Sequence, residues 1–165
     1  MPVDPVQLKR LIEAEVATVR DRRIVEQIQC LLVEPSLTMR GWDYGNEDQE
    51  YPCWTVLSDA GHGIVFCEHG FGPRTPWGLI EDKADRPATM GMDTGWFSNF
   101  LDAFFESGAA SSLPIWQVFQ IDTDEWVLGK SVTEELSWDA ARRRCEALRA
   151  ENPALNYVVH QPQNP

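Results

Sequence analysis

The hydrophobic positions change period along the chain. In "DPVQLKRLIEAEVATVR", Leu8, Leu11, Ile12, Val16 and Val19 recur at helical spacing. Asp4 stands where a helix cap belongs, Pro5 suits the first turn, and Gln7 occupies the capping-box position. The next run, "DRRIVEQIQCLLVEP", repeats the pattern with Ile24, Ile28, Leu31 and Leu32. It either continues the first helix or follows a break near Asp21, and Pro35 is expected to end it.

From Leu37 to Ile80 the period shortens. "LTMRGWDYG", "QEYPCWTVLSD", "GIVFCEH" and "TPWGLIE" are rich in aromatic and β-branched residues and are parted by Gly, Asp and Asn. They predict a meander of strands. A turn centred on residue 60 sets Trp54 opposite Phe66 and Val56 opposite Ile64. On the other face Cys53 meets Cys67 and Thr55 meets Val65. Both faces are then largely apolar, as in a strand covered on both sides.

Residues 81–92 lack periodicity and read as a loop. Asp93 or Thr94 is expected to cap a helix over 94–107, with Trp96, Phe97, Phe100, Leu101 and Phe104 buried and Gly108 as its stop. "GAASSLP" reads as a linker. The last third predicts two strands, "IWQVFQI" and "EWVLGKS", joined by a tight turn at "DTDE". A helix capped by Ser137 and a final strand, "LNYVVHQ", complete it. The sum is an α+β fold, mainly antiparallel, in the order α-ββββ-α-ββ-α-β. The expected organisation is a single domain over 1–165 with a C-terminal ββαβ unit at about 113–161, a size suited to one domain.

Charge adds to this picture. The net charge is −12, and segments 35–70 and 91–136 contribute −5 and −7, which equal the whole. Such a field disfavours nucleic acid and anionic lipid and attracts a basic protein. The N-terminal "MPVDPVQLKR" has no apolar leader, no run approaches a membrane span, and the four cysteines form no CxxC pair. These features lead to the expectation of a cytoplasmic chain with reduced thiols and no membrane attachment. No feature specifies an oligomeric state.

Candidate chemistry centres on "GIVFCEHGFGPRTPWG". Cys67 and His69 are the pair a small Cys/His enzyme or metalloprotein would use, since a thiolate needs a nearby base. Glu68 and the acidic surroundings oppose thiol ionisation. Cys53, His62, Cys67 and His69 are four potential zinc ligands, but their spacing fits no standard knuckle, and alternation puts Cys67 and His69 on one strand face while His62 lies in the turn. No metal and no other cofactor is expected, because neither "HGFGP" nor "GMDTG" matches a phosphate-binding loop. The favoured expectation is a non-catalytic acidic binding protein. Its candidate binding residues are Trp42, Asp43, Tyr44, Glu47, Asp48 and Glu50 in one loop, with Phe71, Arg74 and Trp77 in another, since aromatics and Arg anchor interfaces. In size, acidity and tryptophan content the chain resembles bacterial immunity proteins that neutralise toxins. That likeness is one of type and brings no site residue with it.

Overall fold

Helix caps and glycine turns mark out the elements of the computed structural model, which describes residues 3–42, 44–46, 48–68, 71–72, 74–81, 89–122 and 127–161. Helix α1 spans Pro5–Val16 and is closed by the expected box: the Gln7 N–H donates to Asp4 Oδ1 at 2.8 Å, and the Asp4 N–H donates to Gln7 Oε1 at 3.2 Å. The chain then breaks. Asp21 caps a separate helix, α2 (Arg22–Leu31), by accepting from the Arg23 N–H at 2.9 Å. Arg23 also folds back on the Asp21 carboxylate through Nε at 3.0 Å.

Pro35 does not end this helix. Leu32 is already extended, and strand β1 runs Leu32–Gly41 with Pro35 inside it. Pro35 is tolerated because β1 is an edge strand and its pairing is irregular between Leu32 and Ser36. Strands β2 (Glu50–Asp59), β3 (His62–Phe66), β4 (Trp77–Glu81) and β5 (Trp96–Phe97) complete an antiparallel five-stranded sheet in sequence order.

The β2–β3 hairpin shows why the expected register is half right. Its turn is Ala60-Gly61, both at positive φ (46° and 84°), the geometry of a two-residue turn that matches strand twist. That turn pairs Asp59 with His62 and Leu57 with Ile64, one step from the expected pairing of Val56 with Ile64. An irregularity between Thr55 and Leu57 absorbs the step, so Thr55 still pairs with Val65 and Trp54 with Phe66.

The 94–107 helix is also shorter than expected. A turn of 3-10 helix covers Asp93–Gly95, β5 follows, and α3 spans only Phe100–Glu106. Asn99, not Asp93 or Thr94, is its cap, accepting from the Asp102 N–H at 2.8 Å. A second acceptor comes from far along the chain. The Glu15 carboxylate takes the N–H groups of Phe100 and Leu101 at 3.1 and 2.9 Å, so α1 adds a second acid, beside Asp102, to the first turn of α3. Gly108 does not act as a stop, but opens a single helical turn, α4 (Gly108–Ser111).

The sheet is covered on both faces, as its sequence implied. Register places Trp54, Phe66, Trp77 and Phe97 in one cross-strand row. On this side Trp77 packs on Phe100 of α3. The reverse side carries Cys53, Val65, Cys67, Ile80, Met90 and Trp96, with Trp42, Tyr51 and Phe71 packed around them.

The chain divides into two compact units, Met1–Ala109 and Ala110–Pro165. The second unit holds β6 (Gln117–Asp122), β7 (Val127–Ser131), α5 (Trp138–Glu151) and β8 (Asn156–His160), with strand order β7-β6-β8. Ser137 takes the N-cap position of α5, but its side chain makes no capping hydrogen bond. Trp116 packs edge-on to Trp138 at 4.8 Å and donates Nε1–H to the Ala110 carbonyl at 3.2 Å. The expected turn at 122–125 and most of the 81–92 loop lie outside the described residues. The fold is α+β, with antiparallel sheets and helices in the expected strand order.

Candidate functional site

Three polypeptide segments meet on the reverse face of the first sheet. The end of β1 brings Arg40 and Trp42, β2 brings Tyr51 and Cys53, and the segment after β3 brings Cys67 and Phe71. Hydrogen bonds along the backbone hold the segments together. The Cys67 N–H donates to the Pro76 carbonyl at 2.8 Å, which closes the loop between β3 and β4. The Met90 N–H donates to the Gly41 carbonyl at 2.9 Å, and the Trp96 indole donates to the Met90 carbonyl at 3.0 Å. Trp96 then lies flat across Gly78, where an added Cβ would stand 2.6 Å from its ring.

Cys53 and Cys67 are neighbours here, and both are buried. Hydrogen bonding with the Cys67 thiol pushes the Cys53 thiol far up from its ordinary value, and burial pushes it the same way. The nearby Arg40 guanidinium pulls it down by less. Cys53 therefore stays protonated at neutral pH and behaves as a small apolar group with a weak S–H donor. Arg40 is buried to 1% exposure, with Nη1 lying 3.5 Å from the Thr89 carbonyl.

Of the four potential zinc ligands, Cys53 and Cys67 are neighbours but His62 stands apart from them. His62 opens β3 and Cys67 follows its end, so they stand about 16 Å apart along an extended strand. His69 lies outside the described residues. Among the described residues, no three His, Cys, Asp or Glu side chains are grouped so that they could hold a metal ion. Among the same residues, no helix is long and apolar enough to cross a membrane.

An aromatic column rises from this core. Phe71 is tilted on Trp96 with ring centres 5.1 Å apart, Trp42 stands edge-on to Phe71 at 5.3 Å, and Tyr44 stands edge-on to Trp42 at 6.2 Å. Burial falls along it, from buried Trp96 through half-buried Phe71 and Trp42 to Tyr44, which is 70% exposed. Trp42, a candidate binding residue, is half-buried and supports the column, and among the described residues its buried indole nitrogen has no hydrogen-bond partner. Asp48, Glu50 and Arg74 are exposed. Asp43 and Glu47 lie outside the described residues.

Trp77 does not belong to this surface. It opens β4, is 3% exposed, and packs between Phe66 and Phe100 with ring centres at 4.9 and 5.5 Å. The sequence groups it with the loop residues as a candidate anchor, although "TPWGLIE" also reads as a strand; the strand begins at Trp77, directly after Pro76, and turns the indole onto the helical face. Sequence reasoning also passed over Arg40 and Trp96 as part of this cluster. Arg40 carried one signal, as the lone base between residues 35 and 70. No family model matches the chain, and no curated protein or solved structure matches it significantly.

Proposed function

We propose that the chain is a non-catalytic binding protein that captures a basic protein, in the manner of bacterial immunity proteins, through the loop between β1 and β2. The observation that carries this reading is the aromatic column ending in Tyr44. An exposed aromatic side chain held edge-on by a half-buried one is ordered before a partner arrives, so less rotamer entropy is lost on binding. Tyr is among the residues that dominate interface energies. The exposed Asp48 and Glu50 follow it in the chain and add to the local negative field. That field accelerates encounter with a basic surface and fades with salt.

The alternative centred on Cys67 and His69 has less support. Cys67 is wholly buried, and its hydrogen-bonded neighbour Cys53 is held protonated. A nucleophile needs the opposite arrangement, an accessible thiol in a positive setting.

The test first asks whether a neighbouring gene encodes a basic protein and, where one does, uses that product as the partner; finding no such gene counts against the reading. Association is followed by stopped flow at two ionic strengths. Asp48→Asn with Glu50→Gln is expected to slow association and flatten its salt dependence, leaving dissociation nearly unchanged. Tyr44→Ala is expected to speed dissociation roughly 10- to 100-fold, the effect of losing a central aromatic anchor. Binding that ignores salt and survives Tyr44→Ala refutes the proposal, as does the absence of binding.

A further inference from the structure

The buried thiol pair of the first sheet supports a chemistry apart from binding. The register that pairs Trp54 with Phe66 sets Cys53 opposite Cys67 one step further along. Both are wholly buried, in the cluster on which Trp42, Tyr51 and Phe71 pack. The Cys67 N–H turns away from β2 and donates to the Pro76 carbonyl at 2.8 Å. Cys53 and Cys67 therefore form a non-hydrogen-bonded cross-strand pair, in which Cα atoms stand about 4.5 Å apart and side chains lie closest. That spacing falls within the range a disulfide spans, about 4.4–6.8 Å between Cα atoms. The two thiols already meet, since one hydrogen-bonds the other.

Burial decides when the pair can react. Within the fold the Cys53 thiol holds its proton, and neither sulfur lies on an exposed residue that a reagent could reach. In the unfolded chain both are ordinary thiols that ionise near their usual value, about 8.5. Cys30 is exposed on α2, and Cys145 is buried in α5 of the second unit.

We infer that Cys53 and Cys67 close to a disulfide when the chain folds in an oxidising medium, a covalent tie between β2 and β3 beneath the aromatic column. The oxidant is a low-molecular disulfide such as oxidised glutathione. One cysteine thiolate attacks a glutathione sulfur, which forms a mixed disulfide and releases one glutathione thiolate. The second cysteine thiolate attacks the protein sulfur of that mixed disulfide and releases the other. Two electrons pass from the cysteine pair to the oxidant, and the two protons of the cysteines end on the two glutathiones. The finished fold seals the tie as it seals the thiols, so the state set during folding persists until the chain unfolds. In a reducing medium the same pair stays as two hydrogen-bonded thiols. The inference is independent of the loop bearing Tyr44 and of its partner.

The experiment refolds the reduced Cys30→Ser chain from urea with oxidised and reduced glutathione at about pH 8, where free thiols are partly ionised. Cys30 is exposed, so its replacement leaves the core intact. The product is expected to be lighter than the reduced chain by two hydrogen atoms. Neither Lys nor Arg stands between Arg40 and Arg74, so trypsin leaves both cysteines in one peptide. A further cut at Asp59 should give two peptides that part only on reduction. The oxidised chain is expected to unfold at about 1 M more urea than the reduced chain, the scale of closing a loop of about 15 residues. The native reduced chain in the same glutathione mixture should oxidise roughly tenfold or more slowly than the refolding chain, because it must first open. The folded disulfide should likewise resist dithiothreitol until urea is added. Cys53→Ala and Cys67→Ala should each abolish the mass loss, and the peptide map stands without either variant. Two free thiols at Cys53 and Cys67 after oxidative refolding, pairing with Cys145 instead, or a urea midpoint that falls or stays fixed would each overturn the inference. Native oxidation as fast as that of the refolding chain would overturn it too.

Discussion

Replacing Gly78 by Ala tests the packing under the aromatic column more sharply than any truncation. The new methyl would lie 2.6 Å from the Trp96 ring, closer than carbon atoms approach. Trp96 is 5% exposed, bonded to the Met90 carbonyl and stacked with Phe71, so it has nowhere to retreat. Overpacking of this kind costs about 1–3 kcal/mol. Displacing the indole also forfeits a hydrogen bond of about 1 kcal/mol and an aromatic contact of about 0.5–1.5 kcal/mol. Against this, Ala is better than Gly inside a strand by about 0.5–1 kcal/mol. The expected net loss is about 2–4 kcal/mol.

A double-mutant cycle isolates the cause. Once Trp96 is truncated to Ala the clash is gone, and adding Gly78→Ala should then be neutral or slightly stabilising. The coupling energy is expected near 3 kcal/mol, the upper end for contacting residues. Urea unfolding followed by far-ultraviolet circular dichroism gives each corner. For a slope of about 2 kcal/mol per molar urea, Gly78→Ala alone should move the midpoint by about 1–2 M. If Trp96→Ala does not fold, Trp96→Leu serves as the second corner. Additive effects, or a loss below about 0.5 kcal/mol for Gly78→Ala, would refute the reasoning, because the glycine would then not be required by the indole.

Other outcomes follow from the same structure. Phe100→Ala, at a fully buried site against Trp77, should cost about 3–5 kcal/mol, whereas exposed Leu37→Ala should cost under about 1 kcal/mol in the same urea assay. Glu15→Ala should destabilise by about 1–2 kcal/mol and loosen the start of α3, visible as faster amide exchange at Phe100 and Leu101. The hydrogen bond from Arg23 holds the Asp21 carboxyl below its ordinary value. Its contribution is therefore present above the unfolded carboxyl's ordinary value near 3.9 and is lost as pH falls through the lower folded value. The gap in stability between the chain and Asp21→Ala should accordingly be about 1 kcal/mol at pH 7 and shrink in acid, as thermal melts across pH would register. In thiol titration Cys30, the exposed cysteine, should react quickly in the native protein, and Cys53 and Cys67 only on unfolding.

What the sequence determined by itself was local. The capping box at Asp4 and Gln7, the alternation that makes β2 and β3 apolar on both faces, and the ββαβ pattern of the last third each depend on residues a few positions apart. Those signals sufficed for the fold class and for the pairing of Trp54 with Phe66. They also named the column's outer members, Tyr44, Trp42 and Phe71. Where local preference competed with distant packing, tertiary structure decided. Trp96 lies on a helical stripe by spacing, yet it is drawn into a strand by the groove over Gly78 and the Met90 carbonyl. Trp77 follows a loop-like Gly/Pro run, yet Phe66 and Phe100 bury it. Pro35 marks a helix stop in isolation, yet an edge strand accommodates it. The long-range cap from Glu15 left no trace in spacing, because it joins two helices brought together only when the chain folds. The physical reason is common to all of them: a helix or turn is specified by bonds within a few residues, whereas the environment of a side chain is set by partners whose positions exist only in the folded chain.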